Sequence, residues 1–209
     1  MLASSQILPF VLASFVLCVT PGPGVTYIVT RSLTQGRRAG FGSVVGVALG
    51  NALSATLAAV GLAAVLAASA TVFHFVKYAG AAYLIYLGVQ VLRSGERSGA
   101  GAPRGEQTAR IVRDGLAVAT LNPKTALFFA AFVPQFVAPG AGATIQALAL
   151  SLLFVVMALA TDSVYALAAG TLAPVIARAG LRRLGRFIAA GVYVGLGLLT
   201  AVSGRPARG

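Results

Sequence analysis

Apolar residues run in long blocks along the chain, and polar positions gather between them. No Asp, Glu, Lys or Arg precedes Arg31, residues 39–73 carry none, and Lys124 is the only one between Gly115 and Val137. A bilayer span needs roughly 20 apolar residues. On that measure six stretches qualify, near 6–30, 41–67, 72–92, 114–136, 146–170 and 186–203. Two of them are interrupted from within, the first by Thr20-Pro21-Gly22-Pro23 and the fourth by Asn122-Pro123-Lys124. A capping side chain followed by proline is how a helix begins, and the residue before proline is pushed out of helical geometry. The pattern predicts an all-α integral membrane protein of six transmembrane helices, with helices one and four broken. Backbone freed at membrane depth must face protein or a water-filled cavity. One broken helix in each half of a short chain is a pointer to a transport site.

Composition agrees with that class. The 209 residues are 58% hydrophobic and 10% charged, with a mean hydropathy of +0.89, whereas soluble domains carry about 25% charged residues. The net charge of +12 raises nucleic acid as a partner, but the basic residues form neither a stripe nor a tail. Twelve of the sixteen lie after span one (Arg31, Arg37, Arg38), between spans three and four (Arg93, Arg97, Arg104, Arg110, Arg113), or between spans five and six (Arg178, Arg182, Arg183, Arg186). If every span crosses, these share one face, with Lys77, Arg205 and Arg208 opposite. Short Lys/Arg-rich loops stay cytoplasmic. The charge is therefore read as topogenic, with both termini outside the cytoplasm and no nucleic-acid partner. The first apolar run lacks a basic leader and a small-residue cleavage site, so span one is expected to be retained. A single cysteine, Cys18, excludes an intramolecular disulfide and is read as a packing residue.

The only linker-like stretch, residues 94–113, separates three spans from three. A shift of 109 residues sets Gly61 on Gly170, Lys77 on Arg186, Tyr78 on Phe187 and Gly88 on Gly197. With a broken first span in each half, this predicts one transmembrane domain over 1–209, built as two inverted three-helix repeats (about 1–93 and 114–204).

Several ordered blocks carry a resemblance. Thr20-Pro21-Gly22-Pro23 is followed by Ser32-Leu33-Thr34-Gln35-Gly36-Arg37-Arg38-Ala39-Gly40, then by Gly80-Ala81-Ala82-Tyr83-Leu84-Ile85-Tyr86-Leu87-Gly88, then by Leu121-Asn122-Pro123-Lys124-Thr125-Ala126-Leu127-Phe128-Phe129, and Pro134-Gln135-Phe136 closes that span. In order, spacing and length these blocks resemble the LysE/RhtB family of amino-acid exporters. The resemblance implies efflux of an amino acid or close derivative across the bacterial inner membrane, driven by proton exchange. One departure is Gly24, at a position where many members carry a polar residue such as Asn.

Each candidate residue has a functional and a plain reading. Asn122, Pro123 and Lys124 start a half-helix whose N–H groups suit a carboxylate, with Lys124 adding a full positive charge; the alternative is that Lys124 snorkels to the surface. Thr20, Pro21, Gly22 and Pro23 leave carbonyls without helical donors, fit to accept a substrate's ammonium, or else form a simple kink. Asp162, read as the only carboxylate within a span, is a candidate proton-coupling group. It serves equally as a counter-ion to Lys124, or as an interfacial residue. Tyr165, three residues on, shares its helix face and is placed to bond it. Asn51 lines the pathway or bonds neighbouring backbone. Gly42, Gly46 and Gly50 recur every fourth residue and allow close helix approach, within the chain or between copies of a homo-oligomer. Tyr83 is read as core or interface, and His74 as exposed.

No span clusters the side chains of an enzyme site, and no cofactor or metal is called for. The reading is a secondary transporter working by alternating access, with a small zwitterion, protons and the lipid bilayer as partners. The alternatives are a non-transporting membrane subunit, or a carrier of another small metabolite or ion.

Overall fold

The computed structural model describes residues 4–62, 70–93, 104–138, 142–178 and 182–202, and all regular structure among them is helical. Eight α-helices are numbered here: α1 (Ser4–Val19), α2 (Pro23–Gln35), α3 (Arg37–Leu57), α4 (Ala70–Arg93), α5 (Arg104–Thr120), α6 (Pro123–Leu127), α7 (Ala143–Arg178) and α8 (Arg182–Val202). A wide π turn, Ala58–Leu62, extends α3. Another, Phe128–Phe132, extends α6 and tightens into a 3-10 turn over Val133–Phe136.

Among the described residues, two helices are long and apolar enough to cross a membrane, over Arg37–Gly61 and Ala143–Pro174. Two further pairs qualify together. Ile7–Val19 with Pro23–Gln35 bends by 46°, and Gln107–Thr120 with Pro123–Phe136 bends by 49°. The helices α4 and α8 occupy the stretches expected as spans three and six. Half of the expected linker, residues 94–103, lies outside the described residues, as do Arg97, Arg205 and Arg208, and the other half is the start of α5.

Exposure runs opposite to that of a water-soluble fold. Leu8, Leu12, Phe15 and Val16 on α1, with Leu152 and Val156 on α7, are each more than half exposed, while Asn51, Asp114, Asn122 and Asp162 are buried. An apolar exterior of this kind matches a lipid solvent.

The half-helix α2 is central, touching α3, α5, α7 and α8. The glycine stripe of α3 explains its closest neighbour. A Cβ at Gly46 would strike the Val112 carbonyl of α5, and one at Gly50 would lie 2.5 Å from the Leu116 carbonyl. The stripe therefore seats α3 on α5 within the chain.

One polar network stands apart from the expectations. Asp162 is not the only carboxylate within a span. Asp114 on α5 is 4% exposed and accepts a hydrogen bond from Arg31 Nη2 on α2 at 3.0 Å. The Tyr83 hydroxyl on α4 donates to its other oxygen at 3.2 Å. Tyr83 is thus a hydrogen-bond donor to a buried charge, beyond a packing role. Beside it, the Tyr27 hydroxyl donates to the Ile111 carbonyl at 2.7 Å, and the Arg31 guanidinium lies 5.3 Å from the Tyr27 ring centre. These contacts tie α5 to both α2 and α4.

Two stability changes follow, both read by thermal unfolding in detergent. Gly46→Ala is expected to cost ~1–3 kcal/mol, because backbone must give way, whereas Gly42→Ala, whose Cβ meets only side-chain atoms of Ile111 and Thr108 at 3.4 Å or more, is expected to cost far less. Arg31→Met alone leaves the buried carboxylate only Tyr83 and the exposed Arg113 at 3.9 Å and is expected to cost up to ~3–5 kcal/mol. The double substitution Arg31→Met/Asp114→Leu is expected to cost less than that single change. A double-variant loss equal to the sum of both singles would show that the pair is not coupled.

Candidate functional site

The two bends meet. At the second, Asn122 takes an extended backbone (φ −84°, ψ 107°) and its side-chain oxygen accepts the Lys124 backbone N–H at 3.1 Å, with Pro123 in the first helical position. The Asn122 amide also donates to the Thr125 hydroxyl at 2.9 Å. This is the capping that the sequence predicts. At the first bend the cap differs. Gly22 is the extended residue before Pro23, with no side-chain cap. Thr20 turns back instead, its hydroxyl donating to the Val16 carbonyl at 2.6 Å. Thr20 ends α1; it does not start α2.

Lys124 joins the breaks. Its Nζ donates to the carbonyls of Leu17 at 2.9 Å, in the last turn of α1, and Thr20 at 2.6 Å, just past its end. An orphan helix end favours a cation through those acceptors and the macrodipole. Lys124 therefore points into the protein and does not snorkel. Gly22 gives the side chain room, since a Cβ there would lie 3.3 Å from Lys124 Cδ. Tyr165 serves the same helix end. Its hydroxyl donates to the Val19 carbonyl at 2.8 Å, and so it is not the partner of Asp162.

A cavity of about 50 Å³ lies at this junction. A buried water needs ~10–15 Å³ on a comparable measure, so there is room for a few waters or the polar head of a small solute. Its polar wall comprises Thr20, Asn51, Asn122, Lys124, Thr125 and Asp162, and Cys18 also lines it. Phe154, Leu17, Val25 and Val47 form apolar wall. Of the residues singled out from sequence, Pro21, Pro23, Pro123 and Tyr165 are not part of the lining. They shape the backbone or hold it. Gly24 lines the cavity and is buried, with space for a Cβ only 3.3 Å from Val47 Cγ1.

Asp162 is 5% exposed. Among the described residues it makes no hydrogen bond and no ion pair, and the salt bridges found there all belong to Asp114. Lys124 shares the cavity with it without closing an ion pair. Asn51 is also 5% exposed and has no hydrogen bond among the described residues.

An apolar layer lies on one side of the cavity: Tyr27, Ile28, Val44, Leu84, Leu87 and Tyr193 are all buried. Beyond it stands the Arg31–Asp114 pair. Arg31 is eight residues past Pro23 and Asp114 eight before Asn122, ~12 Å along each helix at ~1.5 Å per residue. Sequence reasoning missed this pair. A signal was present in those matched offsets and in an acidic residue at the mouth of a span crowded with arginine. On the other side, Phe10, Phe128, Phe132 and Phe136 stack together, with ring centres 4.9–6.2 Å apart. Among the described residues no group of His, Cys, Asp and Glu could hold a metal ion.

Comparison with known proteins agrees with this membrane architecture. An uncharacterized membrane protein of Pseudomonas aeruginosa is 38% identical over 137 residues, 63% of each chain. A homoserine/homoserine lactone efflux protein of Salmonella typhimurium is 34% identical over 136 residues, 62% of this chain and 64% of that one. A leucine efflux protein of Enterobacter is 31% identical over 130 residues, 61% of this chain and 62% of that one. The chain thus spans a little under two thirds of the length of these curated relatives. No solved structure matches it. Residues 15–204 match the LysE type translocator family across both bends and the cavity between them, and the chain belongs to that family of membrane proteins.

Proposed function

We propose that the protein is a secondary transporter that exports an amino acid or close derivative across the bacterial inner membrane by proton antiport. The observation that carries this reading is the meeting of two mid-chain helix breaks at one cavity, with Lys124 bridging them. A lysine ammonium has three donors. Two go to the Leu17 and Thr20 carbonyls, which leaves the third for a guest's carboxylate. Asn122, Thr125 and Asn51 supply the remaining polar wall, and Asp162 is the proton-coupling carboxyl. The relatives' names support the substrate class. Homoserine, its lactone and leucine are all small primary amines, and the lactone lacks a free carboxylate.

The finer architecture belongs to the same proposal: six spans, two inverted repeats, and both termini outside the cytoplasm. Helix α3 packs on α7 and α4 on α8, which pairs second with second and third with third, as an inverted repeat would. With the arginine-rich ends cytoplasmic, the Arg31–Asp114 pair and the tyrosines close the inner side in this conformation. Alternating access then opens that layer while the phenylalanine stack, already packed, stays shut, and does the reverse for the outer side. A non-transporting subunit would have no use for a cavity at two opposed breaks.

The test is counterflow in proteoliposomes with a panel of labelled amino acids. Uptake into preloaded vesicles is expected for at least one of them, and none across the full panel would defeat the transport reading. Lys124→Ala is expected to insert normally but to lower counterflow ~10- to 100-fold, the equivalent of ~1.5–3 kcal/mol of charged hydrogen bonding. Asp162→Asn is expected to lose proton-driven accumulation; a variant that still concentrates substrate would remove Asp162 from coupling.

A further inference from the structure

The geometry points to Asp162 as the seat of the substrate's ammonium group, which enters in exchange for the proton held by that same carboxyl; this rests on the transport reading above. The first break offers carbonyl acceptors that would otherwise suit an ammonium, but Lys124 already fills those of Leu17 and Thr20, and Tyr165 fills that of Val19. The acceptor left open on the cavity is the carboxyl of Asp162, 5% exposed and without a hydrogen bond or ion pair among the described residues.

Several donors near it are committed elsewhere. The Asn122 amide goes to Thr125, the Thr161 hydroxyl to the Met157 and Ala158 carbonyls at 3.1 and 3.0 Å, and the Ser163 hydroxyl to the Leu159 carbonyl at 2.7 Å. A buried carboxylate with no partner is costly. Lys124 faces the same cavity and eases that cost through its charge without a hydrogen bond, so the carboxyl's hydrogen-bonding positions stay open to a proton or to a cation brought by a guest. Asn51, opposite on α3, adds an amide free to hold the guest's other polar atoms.

The exchange balances. The Asp162 carboxyl O–H gives up its proton to the solution as the guest's R–NH3+ docks, and an N–H···O hydrogen bond to the carboxylate replaces the O–H bond. One proton leaves for each ammonium bound, so the charge at the Asp162 seat itself is unchanged, and the carboxylate of a zwitterionic guest adds one negative charge in the cavity that Lys124 also lines. The other ionisable groups on the cavity are Lys124 from α6 and Cys18 from α1. Residues Val47 and Asn51 from α3, and Gly24 and Val25 from α2, add none. Substrate and proton therefore compete for one site, and coupling needs no second carrier.

Two half-ligands separate this from recognition through the carboxylate alone. L-Leucinol keeps the ammonium without a carboxylate, N-acetyl-L-leucine keeps the carboxylate without an ammonium, and the leucine side chain suits the apolar wall. Thermal unfolding of the full chain in detergent, with each compound at pH 6 and pH 8, reads binding without transport. L-Leucinol is expected to raise the unfolding temperature at pH 8 and several-fold less at pH 6, and N-acetyl-L-leucine at neither. Asp162→Asn is expected to remove the L-leucinol effect and Asp162→Glu to retain it, with its pH dependence. The assignment is overturned if L-leucinol has no effect on the native chain, if its effect is the same at both pH values, if Asp162→Asn keeps it, or if N-acetyl-L-leucine alone stabilises. Counterflow of free amino acids alongside any of those outcomes leaves the transport reading intact, and its absence brings down both.

Discussion

A helix that stops within a bilayer exposes carbonyls to a solvent that cannot hydrogen-bond them, and each unmet group costs several kcal/mol. In this protein one ammonium group meets that demand. Lys124 Nζ reaches across 104 residues of sequence to the end of α1, and the Tyr165 hydroxyl arrives from α7 to take a third carbonyl. These donors satisfy the end of α1, whose last turn lines the cavity between the breaks. The same role sets the amino group of Lys124 on the cavity wall.

A second electrostatic unit works on different terms. Arg31 and Asp114 are paired and hydrogen-bonded, and their residual acceptor is met by Tyr83. A buried ion pair of this kind adds little net stability over an apolar pair, yet breaking it by removing one partner is expensive. It therefore acts chiefly as a selector of arrangement. It holds α5 to both α2 and α4 in the arrangement seen. The unpartnered carboxyl of Asp162 is the contrary case, since its environment leaves a vacancy where Asp114 has its full set of partners.

Local signals were legible in the sequence and distant pairings were not. Proline at a helix start and an asparagine cap act over two or three residues, so both bends, and the cap at Asn122, can be read directly. The spacing of Gly42, Gly46 and Gly50 likewise announces a close helix contact, though not that the partner is α5. Thr20 shows where such reading fails: Thr-Pro resembles a cap, but its hydroxyl found a nearer acceptor four residues back. Tyr165 sits on the same helix face as Asp162, yet its reach is decided by α1, 146 residues away. Asp114 was hidden for the same reason. At the mouth of a span, flanked by Arg110 and Arg113, it reads as an interfacial residue, and only the fold brings Arg31 and Tyr83 to it.

The glycine seam between α3 and α5 has a mechanical consequence. Backbone pressed on backbone leaves no compliant side chains between the two helices, so they behave as a single strut. Any rocking of the second broken span must then find its fulcrum at Asn122, where the strut ends and the peptide has already left helical geometry. The residue that caps the half-helix is thereby also its axle.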